Sequence, residues 1–134
     1  MEESRLKHVL VVDDDPGILK TITALLESIG FMVTTVVGAN AALTIIDREV
    51  PDAILTDIHM AEGDGFELIN AIRRRGLSVP IVAMSGGSET FGTDHLGLAS
   101  KLGAAAIVDK PFRASLLAEA IDRAIAGRAA PPRS

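Results

Sequence analysis

A chain of 134 residues, almost half of them apolar, is long enough for one domain with its own core and too apolar to stay disordered. A net charge of −5 leaves no basic footprint for nucleic acid or an anionic membrane, so neither is expected as a partner. The absence of cysteine excludes disulfides, thiol catalysis and Cys-based zinc sites.

With four Phe and no Trp or Tyr, the core has to be built from Ile, Leu, Val and Ala. The N-terminus, Met1-Glu2-Glu3-Ser4, is acidic and no apolar stretch of signal-peptide length follows it. No window approaches the ~20 apolar residues of a membrane span, which makes a cytoplasmic protein the expectation.

The first apolar run, Val9–Val12, ends in Asp13-Asp14-Asp15. Asp15 followed by Pro16 is a helix start, with Asp at the N-cap and Pro at the first helical position. Asp13 and Asp14 are a different matter. Paired carboxylates at a buried strand end repel one another unless a cation lies between them. Mg²⁺ suits such a pair, because it takes a few hard oxygen ligands and keeps several waters. Leu19, Ile22, Leu25, Leu26 and Ile29 then recur at helical spacing, with Gly30 as the stop signal.

The run 31–37 predicts a second strand, and Ala39, Ala42, Leu43 and Ile46 a second helix stripe. Ala53-Ile54-Leu55 predicts a third strand running into Asp57. A carboxylate there is a third oxygen ligand or a nucleophile, since carboxylates can attack phosphorus to form acyl phosphates. His59, two residues on, falls at the rim of the same place, where it can tune the access of water.

Phe66, Ile69 and Ile72 predict a third helix, and Arg73-Arg74-Arg75 at its end is read as a solvated complement to the helix dipole. The run 79–84 leads to Ser85, whose hydroxyl can donate to a phosphoryl oxygen, with Gly86 and Gly87 loosening the loop behind it. The segment 88–102 is a helix interrupted by Gly92 and Gly97. The run 105–108 leads to Asp109-Lys110-Pro111, and Lys110 supplies a cation. Phe112, Leu116, Leu117, Ala120, Ile121 and Ala124 line the last helix.

Short continuous apolar runs alternating with amphipathic helices indicate parallel strands covered on both faces. The fold class is therefore α/β, a doubly wound five-stranded parallel sheet with five helices. In such sheets ligands bind beyond the carboxyl ends of the strands, where all these polar groups fall. Residues 1–126 form the expected domain and 127–134 a short disordered tail.

Val11-Val12-Asp13-Asp14-Asp15-Pro16, Asp57-Ile58-His59-Met60 with Asp64-Gly65, Ser85, and Lys110-Pro111-Phe112 together resemble the receiver domain of bacterial two-component response regulators. The resemblance spans roughly residues 6–126, with four separate motifs in order. It implies the flavodoxin-like receiver fold, Asp57 as phosphoacceptor, and Asp13 and Asp14 as acidic Mg²⁺ residues. It further implies that His59 lends a backbone carbonyl to the metal, that Ser85 senses the phosphate and that Lys110 pairs with it. The partners it implies are a histidine kinase or histidine phosphotransfer protein and, with no effector domain evident, a downstream protein target.

Three departures stand out. Ala61 and Gly63 occupy the turn after the phosphoacceptor, where the family usually has Pro. Ile107 stands at the switch position that usually carries an aromatic ring, and the segment from Ser85 to Gly103 is a few residues longer than usual. These leave the chemistry intact and alter the expected route of signal transmission. Two other functions compete. A pseudo-receiver that binds partners without phosphorylation would have lost an acidic or lysine site residue, and none is lost. An Asp-nucleophile phosphatase of the haloacid dehalogenase type, the enzyme alternative, wants a second Asp where this chain has His59.

Overall fold

The computed structural model describes residues 6–58, 65–85, 106–109 and 114–129. Five strands form one parallel sheet: β1 (His8–Asp13), β2 (Met32–Val37), β3 (Ala53–Asp57), β4 (Ile81–Ser85) and β5 (Ala106–Asp109). Four helices lie among the described residues: α1 (Pro16–Ser28), α2 (Ala39–Arg48), α3 (Gly65–Arg74) and α4 (Ala114–Ala129). The expected helix over 88–102 lies outside the described residues.

The strand order is β2-β1-β3-β4-β5. From β1 the chain first moves outward to β2, then returns past β1 to β3 and continues the other way. The order therefore reverses between β1 and β3, the point at which this fold opens a crevice. The alternation of side chains along each strand feeds two separate cores. Val9, Val11, Ala53, Leu55, Val82 and Met84 pack with Leu19, Ile22 and Leu26 of α1 and Leu117 and Ile121 of α4. Leu10, Val12, Ile54, Ile81 and Ala83 pack with Ala42 and Ile46 of α2 and Leu68, Ile69 and Ile72 of α3. Both cores are almost wholly aliphatic, as the composition requires, with Phe31 the one aromatic ring among their described residues.

Local signals set the helix ends. The Asp15 side chain accepts from the Gly17 N–H at 2.9 Å, and its carbonyl accepts from Leu19 at 3.1 Å. At the other end Gly30 adopts φ 104, and the Phe31 N–H reaches back to the Leu26 carbonyl at 3.0 Å. That left-handed glycine closes α1 and turns Phe31 into the core below the helix.

Four expectations need correction. Ile29 is exposed, because it sits at the C-cap beyond the last buried turn. Leu116 is exposed as well, since Leu117, Ile121 and Ala124 hold the buried face and residue 116 lies about 100° round the helix from it. The last helix runs on to Ala129, three residues into the expected tail. Finally, β2 is covered only in part: as the edge of the sheet it leaves Met32, Thr35 and Val37 exposed.

The arginine cluster is not simply solvated. One terminal nitrogen of Arg73 donates to the carbonyls of Leu77 at 3.0 Å and Val79 at 2.9 Å, tying the end of α3 to the approach to β4. Burial lowers the pKa of Arg73 from the usual guanidinium value, yet the group remains a cation. Arg75 grips Asp47 of α2 through two nitrogens, at 2.8 and 3.1 Å. Arg74 and Arg75 are both exposed, as expected, but Arg75 is held by its ion pair across to α2.

The Arg75 hydrogen bond holds the Asp47 carboxyl below its ordinary pKa. A carboxyl depressed in the folded state stabilises the fold above its unfolded pKa and loses that contribution as pH falls through its folded value. Asp47→Asn is therefore expected to be slightly less stable than wild type at neutral pH and equal to it in acid below the ordinary carboxylate range. A gap in urea midpoint that persists in acid would show that the pair does not titrate this way.

Candidate functional site

The site is built where β1 and β3 end side by side. Val12 is in register with Thr56, which puts Asp13 beside Asp57 one residue further on. Side-chain alternation then sends both carboxylates to the face covered by α1 and α4. Asp13 and Asp57 are almost fully buried, at 1% and 5% exposure, whereas Asp14 on the turn is open to solvent. Carboxylate oxygens of Asp13, Asp14 and Asp57 all lie within 4.8 Å of one another.

The backbone around them is tied down. The Asp15 N–H donates to Oδ1 of Asp13 at 3.1 Å, so the α1 N-cap residue also orients the first carboxylate. The buried Thr56 hydroxyl donates to the Asp57 carbonyl at 3.0 Å. Beyond the strand end the Ile58 N–H continues the ladder to the Met84 carbonyl at 3.1 Å. The N-terminus of α1 opens beside the cluster, and its partial positive charge favours anions there.

Three hard oxygen donors, two buried and one on the solvent side, fit a small divalent cation that keeps some of its water. They suit Mg²⁺ well and a soft metal poorly. Of the other expected site residues, Ser85 ends β4 one residue beyond Met84, which is in register with Asp57, and is itself paired with Asp109 of β5. Ile107 lies in β5 opposite Ala83. His59 and Lys110 lie outside the described residues. Two contributors were not foreseen as such: Asp15, expected only as a cap, and Thr56, a buried hydroxyl in a run of apolar residues.

Crowding two buried carboxylates at this range costs about 3 kcal/mol at an effective dielectric near 20, and salt and neighbouring dipoles reduce the net to about 1 kcal/mol. Asp13→Asn removes one charge and keeps an oxygen for the Asp15 N–H. In EDTA it is expected to melt a few degrees above wild type, and with Mg²⁺ its gain on metal addition should shrink. A lower melting temperature in EDTA would show that the carboxylates do not repel.

A parallel sheet in the order β2-β1-β3-β4-β5, with an acidic crevice at the β1–β3 reversal, defines a flavodoxin-like receiver fold. Residues 9–122 match the family model of the response regulator receiver domain, and the chain belongs to that family. Receiver domains are signalling modules and not enzymes.

Among relatives, an uncharacterized 14.6 kDa protein of Leptolyngbya boryana is 39% identical over 79 residues, 58% of this chain and 60% of that protein. The nitrogen assimilation regulatory protein NtrX of Azorhizobium caulinodans is 34% identical over 120 residues, 87% of this chain and 26% of that protein. The match thus spans less than two thirds of either relative. A solved response regulator receiver domain protein from Clostridium thermocellum superimposes with a TM-score of 0.81 at 30% identity, covering 92% of this chain and 97% of that one.

Proposed function

We propose that this receiver domain accepts a phosphoryl group on Asp57 in a Mg²⁺-dependent reaction and signals through altered protein–protein binding. The observation that carries the proposal is the convergence of Asp13, Asp14 and Asp57, with oxygens within 4.8 Å of one another at the strand-order reversal. The donor is a phosphohistidine of a histidine kinase or a phosphotransfer protein. A cytoplasmic location belongs to the same proposal.

In the reaction an Asp57 oxygen attacks phosphorus, the new P–O bond forms, and the P–N bond to the donor imidazole breaks. The imidazole leaves and takes up a proton. Asp57 reacts as the carboxylate, so no general base is needed to activate it. Asp13 and Asp14 would hold Mg²⁺ together with Asp57 and the backbone carbonyl of His59. When bound, the ion offsets charge on the phosphoryl oxygens. The Asp15 N–H keeps Asp13 turned into the crevice. Ser85 and Lys110 complete the proposed set as hydroxyl donor and cation for the transferred group. Ile107 takes the switch position without an aromatic ring. Its β-branched side chain has few rotamers to exchange, so the response is proposed to travel through the loop after Ser85.

The test is incubation with acetyl phosphate and Mg²⁺, followed by mass spectrometry. One added phosphoryl group is expected, mapping to Asp57 and absent when EDTA replaces Mg²⁺. A chain that stays unmodified with the metal present, while still binding partners, would instead support the pseudo-receiver alternative.

A further inference from the structure

The edge strand β2 carries features that phosphoryl chemistry does not use. Its sequence, Met-Val-Thr-Thr-Val-Val, has high β propensity and contains no charge and no Pro. Edge strands of monomeric proteins are usually blunted by lysine, proline, a bulge or a covering segment. None of the first three is present here. Met32 and Val37 at its two ends are 48% and 56% exposed, and Leu6 and Ile29 are exposed close to its start. These are four of the six exposed large apolar residues among the described residues.

The hydrogen-bonding register shows which backbone groups face outward. The Met32 N–H donates to the Lys7 carbonyl at 2.9 Å, and β2 runs parallel to β1 with His8 beside Met32. Backbone groups alternate along a strand, so Met32, Thr34 and Val36 turn theirs toward β1. Val33, Thr35 and Val37 present theirs to the outside. Beside them, on the α1 side, runs an open groove of about 600 Å³ whose lining includes Lys20, Thr23, Ala24, Glu27, Thr35 and Val37.

We propose that this edge pairs with a second copy of the chain, β2 against β2 antiparallel, about a two-fold axis at Thr35. That register sets Thr35 opposite its own copy and Val33 opposite Val37, using every outward donor and acceptor. Self-pairing of an uncharged strand meets no like-charge repulsion. The same axis runs the two α1 helices antiparallel across the groove. Small Thr23 and Ala24 allow them to approach, and Lys20, toward one end, is carried toward Glu27 of the copy at the other end. A surface that is self-complementary in hydrogen bonds, apolar contact and charge is what an isologous dimer requires. A foreign peptide would use the strand and leave the Lys20–Glu27 complementarity without purpose.

Sedimentation equilibrium of the full chain tests this. The mass is expected to rise from 14.0 kDa toward twice that value as concentration increases to about 1 mM. Thr35→Pro removes one outward N–H, which an edge strand tolerates, and should give a monomer. Where Thr35→Pro unfolds, Val37→Lys decides, because it changes only an exposed position. Lys20→Glu should weaken the dimer at least about tenfold, and the double change Lys20→Glu with Glu27→Lys should restore it. A monomer across the whole range overturns the proposal, as does a dimer indifferent to Val37→Lys. Amide protection of Val33, Thr35 and Val37 gained only on adding an extended peptide, with the chain still monomeric, also overturns it.

Discussion

An Asp57→Asn chain is expected to gain no phosphoryl group under conditions in which the wild-type chain gains one. The amide has nearly the shape of the carboxylate but no anionic oxygen to attack phosphorus, so the loss should be complete and not partial. The fold should survive. Thr56 and Met84 hold this strand end through the carbonyl of Asp57 and the N–H of Ile58, and neither contact involves the Asp57 carboxylate. Removing one charge from a cluster of three carboxylates should leave the melting temperature in EDTA at or above that of wild type. Intact-mass measurement after acetyl phosphate treatment reads the first expectation, and thermal melting the second. Undiminished modification of Asp57→Asn would remove Asp57 from its proposed role.

Replacing Arg73 by Ala should cost about 2–3 kcal/mol, most of it from hydrogen bonds to a charged donor and from carbonyls left short of a partner. One guanidinium nitrogen of Arg73 serves both Leu77 and Val79. These residues carry the chain from α3 into β4, whose far end holds Ser85. Arg73→Lys should recover only part of the loss, because an ammonium on a thinner stem does not fill the space of the planar fork. Urea unfolding midpoints give the comparison, with Arg74→Ala as a control expected within about 0.5 kcal/mol of wild type. If Arg73→Ala also falls within that margin, the carbonyl contacts are not a structural tie. A loss of phosphorylation in this variant without loss of stability would give Arg73 a role nearer the site.

Much of the site was legible from residue types at the ends of apolar runs. Asp13, Asp14 and Asp57 could be placed together because short buried runs alternating with helices imply a parallel sheet, and a parallel sheet brings its strand ends to one rim. Asp15-Pro16 and Gly30 marked the ends of α1 correctly, since caps are local chemistry that needs no knowledge of the rest of the chain. The contacts of Arg73 and Arg75 are hidden from the sequence for the opposite reason. Their partners, Val79 and Asp47, lie six and 28 residues away, across a loop and on another helix. A charge run by itself carries no sign of such partners. Thr56 is hidden too, because a single hydroxyl in an apolar run gives no hint that it will be buried against the next residue's carbonyl.

The class of fold, the strand ends that carry the carboxylates and the largely aliphatic make-up of the core are all readable from the residues alone. All of these follow from period, composition and capping within short windows. Packing in three dimensions makes β2 an edge, since apolar continuity reads the same in a central strand and an outer one. It also divides the apolar residues into two cores, puts Leu116 and Ile29 outside both, and brings oxygens of three aspartates within 4.8 Å. These depend on strand order and register, which are set by how whole layers pack and not by any one segment.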